Sequence, residues 1–291
     1  MILTPITYKD RIICAHRGNP GNPPNSRSIE NTIDSFVSAW QVGANAIEFD
    51  VQLSKDGILF IHHDDTFGRV FLSPDGNNRK YVSDYYWDDI CKAKPNKELK
   101  NAQGHEPYTE RDRIPRIEEV PVNADGKLFL ELKVPKDRES QRREDVNYLR
   151  DLVERAADFI QRNRFFDRTY VLSFVPQALN WIKKCDDRII TALNIRKNEL
   201  KRSRAIKHIS DMKEQYGLSI VNPPFRQTTE DGIKMLHDLG LGTYPWVGKE
   251  NQKKELKEIK RLLEQGADGV IINQPGKARD IRDGVTVPTV T

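Results

Sequence analysis

Cysteine is scarce, three residues in 291. Cys14, Cys91 and Cys185 are far apart, and an odd number without close spacing excludes both a disulfide framework and a zinc motif. Cys14 lies inside an apolar run, which predicts a buried free thiol. No apolar stretch approaches the roughly 20 residues that a membrane helix requires. Met1 to Arg11 has no apolar secretion-signal segment, so a cytoplasmic protein is expected unless a leader has been removed. Charge of one sign is also lacking. The net charge of +4 is too mild and too dispersed to point to nucleic acid, yet it would not repel an anionic substrate. Lys253, Lys254 and Lys257 fall on a helical pattern and read as a solvated face. There is no repeat and almost no low-complexity sequence.

Enough apolar material is present for a large core: hydrophobic residues make up 37% and charged residues 31%. The length is normal for one α/β barrel, so a single domain over residues 1–291 is expected. Short β-branched runs alternate with helical patterns. Strands are predicted at Ile12–Ala15, Ala46–Val51, Leu128–Leu132, Thr169–Phe174, Ile189–Leu193, Leu218–Val221, Thr243–Val247 and Asp268–Ile272. Between them lie apolar stripes at helical spacing, such as Ile33, Phe36, Val37 and Trp40. Asn31 or Thr32 can cap that first helix, Gly43 ends it, and Pro176 suits the first turn of another. Eight strands with intervening helices predict a parallel (β/α)8 TIM barrel.

One stretch breaks the rhythm. Asp64 to Asp125 is long, polar and rich in turn residues, as in Ser73-Pro74-Asp75-Gly76-Asn77-Asn78. A loop of that length in a compact domain is usually a functional insertion. With few, clustered apolar residues it is expected to form a small cap over the barrel mouth after strand two, without a core of its own. Tyr85, Tyr86 and Trp87 are expected either to line the entrance or to anchor the cap.

Barrel enzymes carry their chemistry at the C-terminal ends of the strands. Strand one ends in His16-Arg17-Gly18. Strand two carries Glu48 and Asp50, and strand three Glu131 and Lys133. Residues two apart on a strand point to the same side, so each of these pairs can face one point. Three converging carboxylates repel one another unless a cation relieves them, and oxygen ligands suit Mg²⁺ or Ca²⁺ better than zinc. Asp56-Gly57 predicts a hairpin that returns His62 and His63 beside strand two. These two point to opposite faces, so one at most is well placed. His16 with a returning His63 can act as an acid/base pair, since imidazole titrates near neutral pH. Arg17, Lys133 and Arg69 can bind phosphate oxygens.

In order along the chain stand His16-Arg17-Gly18, Glu30-Asn31-Thr32, Glu48-Phe49-Asp50-Val51, Lys55-Asp56-Gly57, His63-Asp64 and Glu131-Leu132-Lys133. Ser173-Phe174 and Asp268-Gly269-Val270-Ile271 follow. This ordered set resembles the motifs of the glycerophosphodiester phosphodiesterase family. The resemblance implies a metal-dependent hydrolase acting on a glycerophosphodiester or lysophospholipid. It implies Glu48, Asp50 and Glu131 as ligands of one divalent cation, Mg²⁺ or Ca²⁺, and His16 and His63 as the catalytic acid/base pair. Arg17 and Lys133 would hold the phosphate, with Glu30 and Asn31 supporting the site from the first loop unless they serve only as helix caps. The insertion, too, has a family counterpart.

Departures from the family pattern lie in the second half of the chain. Asn273-Gln274-Pro275 stands where Thr-Asp-x-Pro is common. Trp246-Val247-Gly248-Lys249-Glu250-Asn251 replaces a Trp-Thr-Val-Asn run, and Val175 replaces an Asp. They bear on which alcohol or lipid is accepted. The alternatives are a sphingomyelinase D-like or lysophospholipase D-type enzyme that forms a cyclic phosphate, and a non-catalytic phosphodiester-binding barrel. The His-Arg-Gly opening and the long cap argue against the first, and the full set of acidic and histidine positions against the second.

Overall fold

The computed structural model describes residues 10–20, 28–96, 112–135, 143–196, 205–247 and 252–284. The elements in chain order are β1 (Ile12–His16), α1 (Ile33–Gln41), β2 (Ala46–Leu53), β3 (Leu59–Ile61), β4 (Phe71–Leu72), α2 (Trp87–Ile90), β5 (Lys94–Pro95) and β6 (Lys127–Leu132). They continue with α3 (Arg143–Asn163), β7 (Thr169–Ser173), α4 (Pro176–Cys185), β8 (Ile190–Asn194), α5 (Ala205–Tyr216), β9 (Ile220–Asn222), α6 (Glu230–Asp238), α7 (Gln252–Glu264), β10 (Gly269–Ile272) and α8 (Pro275–Arg282).

Seven strands pair in parallel in the order β10-β1-β2-β6-β7-β8-β9. The eighth position is filled by Gly242 to Val247, which takes in the predicted seventh strand Thr243–Val247. It does not form a continuous ladder. It bridges Ile220 through Gly242 on one side and Ile271 through Trp246 on the other. The reason is local: Pro245 and its neighbours Pro223 and Pro224 have no N–H to give, so only interrupted pairing is open to them. Backbone bonds from Val221 N to Gly242 O (3.0 Å) and from Val247 N to Ile271 O (2.9 Å) close the ring. The architecture is a (β/α)8 barrel.

Strand alternation sorts the core into an inside and an outside. Cys14, Ala46, Phe129, Leu172, Ala192, Ile220, Tyr244 and Ile271 pack together within the barrel. The alternate residues, including Ala15, Ile47, Phe49, Leu130, Val171 and Val221, pack outward against the helices. Cys14 is a buried free thiol. Because side chains repeat every second residue, the next inward position on each strand stands at the barrel mouth.

The hairpin forms at Asp56-Gly57, with Gly57 at φ +80° and β3 antiparallel to β2. The insertion that follows does have a small core. Phe67, Val70, Phe71, Val82, Tyr85, Trp87 and Ile90 pack with Ile29 and Phe60 of the barrel rim. Segments β4 and β5 pair within it. Its residues 97–111 lie outside the described residues. Tyr85 and Trp87 are buried in this cluster, and Tyr86 is 51% exposed. None of the three lines the cavities at the mouth, so burial makes Tyr85 and Trp87 anchors of the cap.

Candidate active site

The register of the parallel sheet sets neighbouring polar residues side by side. His16 on β1 is level with Glu48 on β2, and Asp50 is level with Glu131 on β6. All four share the inward face. One carboxylate oxygen each from Glu48, Asp50 and Glu131 lies within 4.8 Å of the others, and all three residues are buried. Burial, then the charges of Asp50 and Glu131, push the Glu48 carboxyl well above its ordinary pKa. Asp50 moves the opposite way: burial alone would raise it, but nearby His63, Lys133 and Arg17 and a bond from Asn31 hold it low.

The loop after β1 wraps this cluster. Arg17 takes a left-handed backbone (φ 58°) followed by Gly18 (φ +84°), and the Arg17 N–H donates to Glu48 Oε2 at 2.9 Å. A side chain at Gly18 would run into Ser35, so glycine is required there. Asn31 is also left-handed (φ 59°) and is not the helix cap. Thr32 caps α1, and the Asn31 amide donates to Asp50 Oδ2 at 2.8 Å. Left-handed non-glycine residues are uncommon and cost of order 1–3 kcal/mol, so two of them beside buried carboxylates point to a site rather than to packing. Glu30 accepts from Arg17 Nη1 (2.9 Å) and from Arg69. Its burial is outweighed by those guanidiniums, which bring its pKa down to about 2.

Lys133 Nζ lies 3.0 Å from Glu131 Oε1 and 3.6 Å from Asp50 Oδ1. Arg17 Nε is 3.4 Å from Asp50 Oδ2. The cations Arg17, Lys133 and Arg69 are outnumbered by the carboxylates of Glu30, Glu48, Asp50, Asp64 and Glu131 around them. Glu48 Oε1 is buried and accepts no hydrogen bond among the described residues. An orphaned buried carboxylate oxygen in an acidic cluster is what a hard cation would satisfy, and the donor set is all oxygen.

The two histidines of the hairpin part company. His62 packs between Phe67 and Phe71, ring centroids 6.0 Å away, and burial pushes its imidazole down to about 4. His63 faces the mouth, with Nδ1 2.8 Å from Asp64 Oδ1. Gln52, buried on the inward face of β2, donates to the carbonyls of His62 (2.8 Å) and Asp64 (2.9 Å) and so fixes this corner. On the opposite side His16 Nδ1 lies 2.9 Å from Asn273 Oδ1, and its Nε2 is 4.0 Å from Glu48 Oε2. Burial, then the Arg17 charge, push the His16 imidazole down to about 3.

A cavity of about 520 Å³ joins these groups; its wall includes His16, Arg17, Glu48, His63, Glu131 and Lys133. Phe174 and Trp246, in edge-to-face contact at 5.8 Å, form an apolar wall opposite the charged groups. The sequence reading missed Asn194, which donates to Glu131 Oε2 (3.1 Å), and Asn222, which donates to Asn194 (3.1 Å). It also missed the contacts of Gln52 and Asn273 and the buried Glu255 behind Asn273. Asn194, Asn222 and Asn273 stand at strand ends, the positions that carry chemistry on the first three strands, but their residue type did not mark them out.

The profile of the glycerophosphoryl diester phosphodiesterase family matches residues 16–277. A glycerophosphodiester phosphodiesterase of Caldanaerobacter subterraneus is 25% identical over 91% of this chain and 94% of its own. A structure from Silicibacter pomeroyi superposes with a TM-score of 0.73 at 20% identity, over 94% of each chain. An Oleispira antarctica phosphodiesterase, solved with its product sn-glycerol-3-phosphate, has a TM-score of 0.68 at 19% identity over 93% of this chain and 96% of its own. The chain is a phosphoric diester hydrolase and belongs to the glycerophosphoryl diester phosphodiesterase family.

Proposed function

We propose that this enzyme hydrolyses glycerophosphodiesters to an alcohol and glycerol 3-phosphate with the help of one divalent cation, Mg²⁺ or Ca²⁺. Glu48, Asp50 and Glu131 would hold the ion; the observation that carries this is their buried convergence within 4.8 Å, with Glu48 Oε1 left without a hydrogen bond. When bound, the cation lends positive charge to the phosphate oxygens as charge builds in the transition state. The remaining work falls to this chain's own groups. Arg17 and Lys133 are long cations anchored beside the cluster and can turn toward the non-bridging oxygens. His16 and His63 serve as the proton-transfer pair across the cavity. One takes the proton of the attacking group, water or a neighbouring substrate hydroxyl whose cyclic phosphate water then opens, and the other gives a proton to the leaving alcohol oxygen as its bond to phosphorus breaks. Glu30 and Asn31 hold Arg17 and Asp50 in place.

The product in the Oleispira neighbour is the product expected here. A small diester of glycerol, or a lysophospholipid with its chain along Phe174 and Trp246, fits the cavity's polar and apolar walls. One catalytic domain over residues 1–291, with an insertion at about 64–125, accounts for the matched span. Among the described residues no helix is long and apolar enough to cross a membrane. Free thiols at Cys14, Cys91 and Cys185 suit a reducing, cytoplasmic setting.

The test is metal removal. Glycerophosphocholine hydrolysis is expected to vanish with chelator and to return with Mg²⁺ or Ca²⁺, the products being choline and glycerol 3-phosphate. Full activity in a sample verified to be metal-free would overturn the reading.

A further inference from the structure

The strand pair β1/β10 is in register at Ala15–Ile272, so the next inward residues, His16 and Asn273, meet above it. The Asn273 carboxamide oxygen faces His16 Nδ1 at 2.9 Å. A carboxamide oxygen can only accept, so the ring nitrogen facing it must carry the hydrogen. The other nitrogen, Nε2, is then a bare lone pair turned toward the cavity, 4.0 Å from Glu48 Oε2 and too far to bond it.

Asn273 is itself held from behind. Glu255 projects from α7, is 2% exposed, and its Oε1 accepts the Asn273 N–H at 2.7 Å. Its Oε2 accepts from Gln274 Nε2 at 3.4 Å, and Pro275 then opens α8. A buried carboxylate thus pins the first two residues after β10, at one of the places where this chain departs from the family pattern.

We propose that Asn273, fixed by Glu255, is a positioning residue that sets the tautomer and ring orientation of His16, presenting Nε2 as a proton acceptor. This rests on His16 being one of the proposed proton-transfer pair. The partner that holds the other nitrogen of an imidazole decides which face is reactive, and losing such a partner typically costs about 10- to 100-fold.

The experiment compares Asn273→Leu, Asn273→Asp, Glu255→Gln and His16→Ala, each loaded with Mg²⁺, by steady-state kinetics on glycerophosphocholine and by imidazole ¹⁵N spectra. In the parent protein the His16 proton is expected on Nδ1. Asn273→Leu removes the acceptor at nearly constant volume. It is expected to lower kcat about 10- to 100-fold with KM within about threefold, and to mix the His16 tautomers. Asn273→Asp keeps an acceptor oxygen at the same place and should retain the Nδ1–H form and most of kcat. Glu255→Gln keeps an acceptor for the Asn273 N–H and should do the same. A proton on Nε2 in the parent, or wild-type kcat in Asn273→Leu, would overturn the proposal. So would a loss in Asn273→Leu confined to KM and melting temperature. His16→Ala separates the two readings. Activity surviving that change removes His16 from the proton-transfer pair, whereas a dead His16→Ala beside a fully active Asn273→Leu rejects only the positioning role.

Discussion

His62 and His63 are adjacent in sequence and stand in different worlds. Period-two alternation along the hairpin required them to face opposite ways, and only the resemblance of His63-Asp64 to the family motif told which one returns to the mouth. In the structure His62 is 3% exposed among phenylalanines, while His63 borders the cavity. We expect His63→Ala to lower kcat by about 100- to 10,000-fold, the usual cost of a lost acid or base. His62→Leu, close in volume and apolar like its surroundings, should leave kcat within a few-fold. A silent His63→Ala with a crippled His62→Leu, measured on the same diester, would reverse the assignment. The same alternation made Glu48, Asp50 and Glu131 legible as a converging set, because three carboxylates at the mouths of consecutive strands have few bland explanations together. Asn194, Asn222 and Asn273 were not legible in that way. Asparagine at the end of a strand is also ordinary turn chemistry, so residue type alone does not separate a buried amide bonded to Glu131 from a loop start.

At the scale of elements, most strands and helices were readable because their apolar spacing is unambiguous. The exceptions have physical causes. The seventh strand position reads as β-branched and aromatic but is interrupted by prolines on both sides of the pairing, which no hydropathy pattern reports. The insertion's apolar residues looked too few for a core, and they form one only by sharing Ile29 and Phe60 of the rim. Besides the backbone bonds that close the ring, one carboxylate ties the seventh position in. Asp268 Oδ2 accepts the Thr243 N–H at 2.7 Å and pairs with His237 Nε2 of α6 at 3.1 Å. That hydrogen bond raises the His237 pKa above 6.5. A histidine protonated more readily when folded contributes stability that is complete below about pH 6.5 and is lost as pH rises through the raised value. The pair is partly exposed, so the contribution is on the order of a few tenths of a kcal/mol. NMR titration should place His237 above 6.5 in the parent and lower in Asp268→Asn. Melting temperatures between pH 6 and 8.5 should fall slightly less in His237→Gln than in the parent. A His237 pKa at or below 6.5 would refute the link.

The whole molecule stakes part of its stability on the mouth of the barrel. Hydrophobic layers fill the interior up to Cys14, Phe129, Leu172 and Tyr244, and the acidic cluster stands just above them. Three buried carboxylates at that level cost the fold energy at neutral pH unless a cation joins them. The penalty is concentrated on Glu48, whose pKa burial and its acidic neighbours push upward. An acid whose folded pKa is raised loses stability as pH climbs from its unfolded value, about 4.5, through the raised one. Glu48→Gln removes that cost in the metal-free protein. Its carbonyl oxygen can still accept the Arg17 N–H, and its amide can donate toward Asp50 and Glu131 in place of the orphaned oxygen. We therefore expect metal-free Glu48→Gln at pH 7.5 to melt about 1–2 °C higher than the parent, a gain of about 1 kcal/mol for a chain of this size. It should be inactive, as when a site is built against stability. Mg²⁺ or Ca²⁺ should raise the melting temperature of the parent in proportion to the logarithm of its concentration and leave the variant unmoved. A metal-free variant less stable than the parent would show that Arg17, Lys133 and Asn31 already balance the cluster. A variant stabilised by the cation as much as the parent would take Glu48 out of the ligand set.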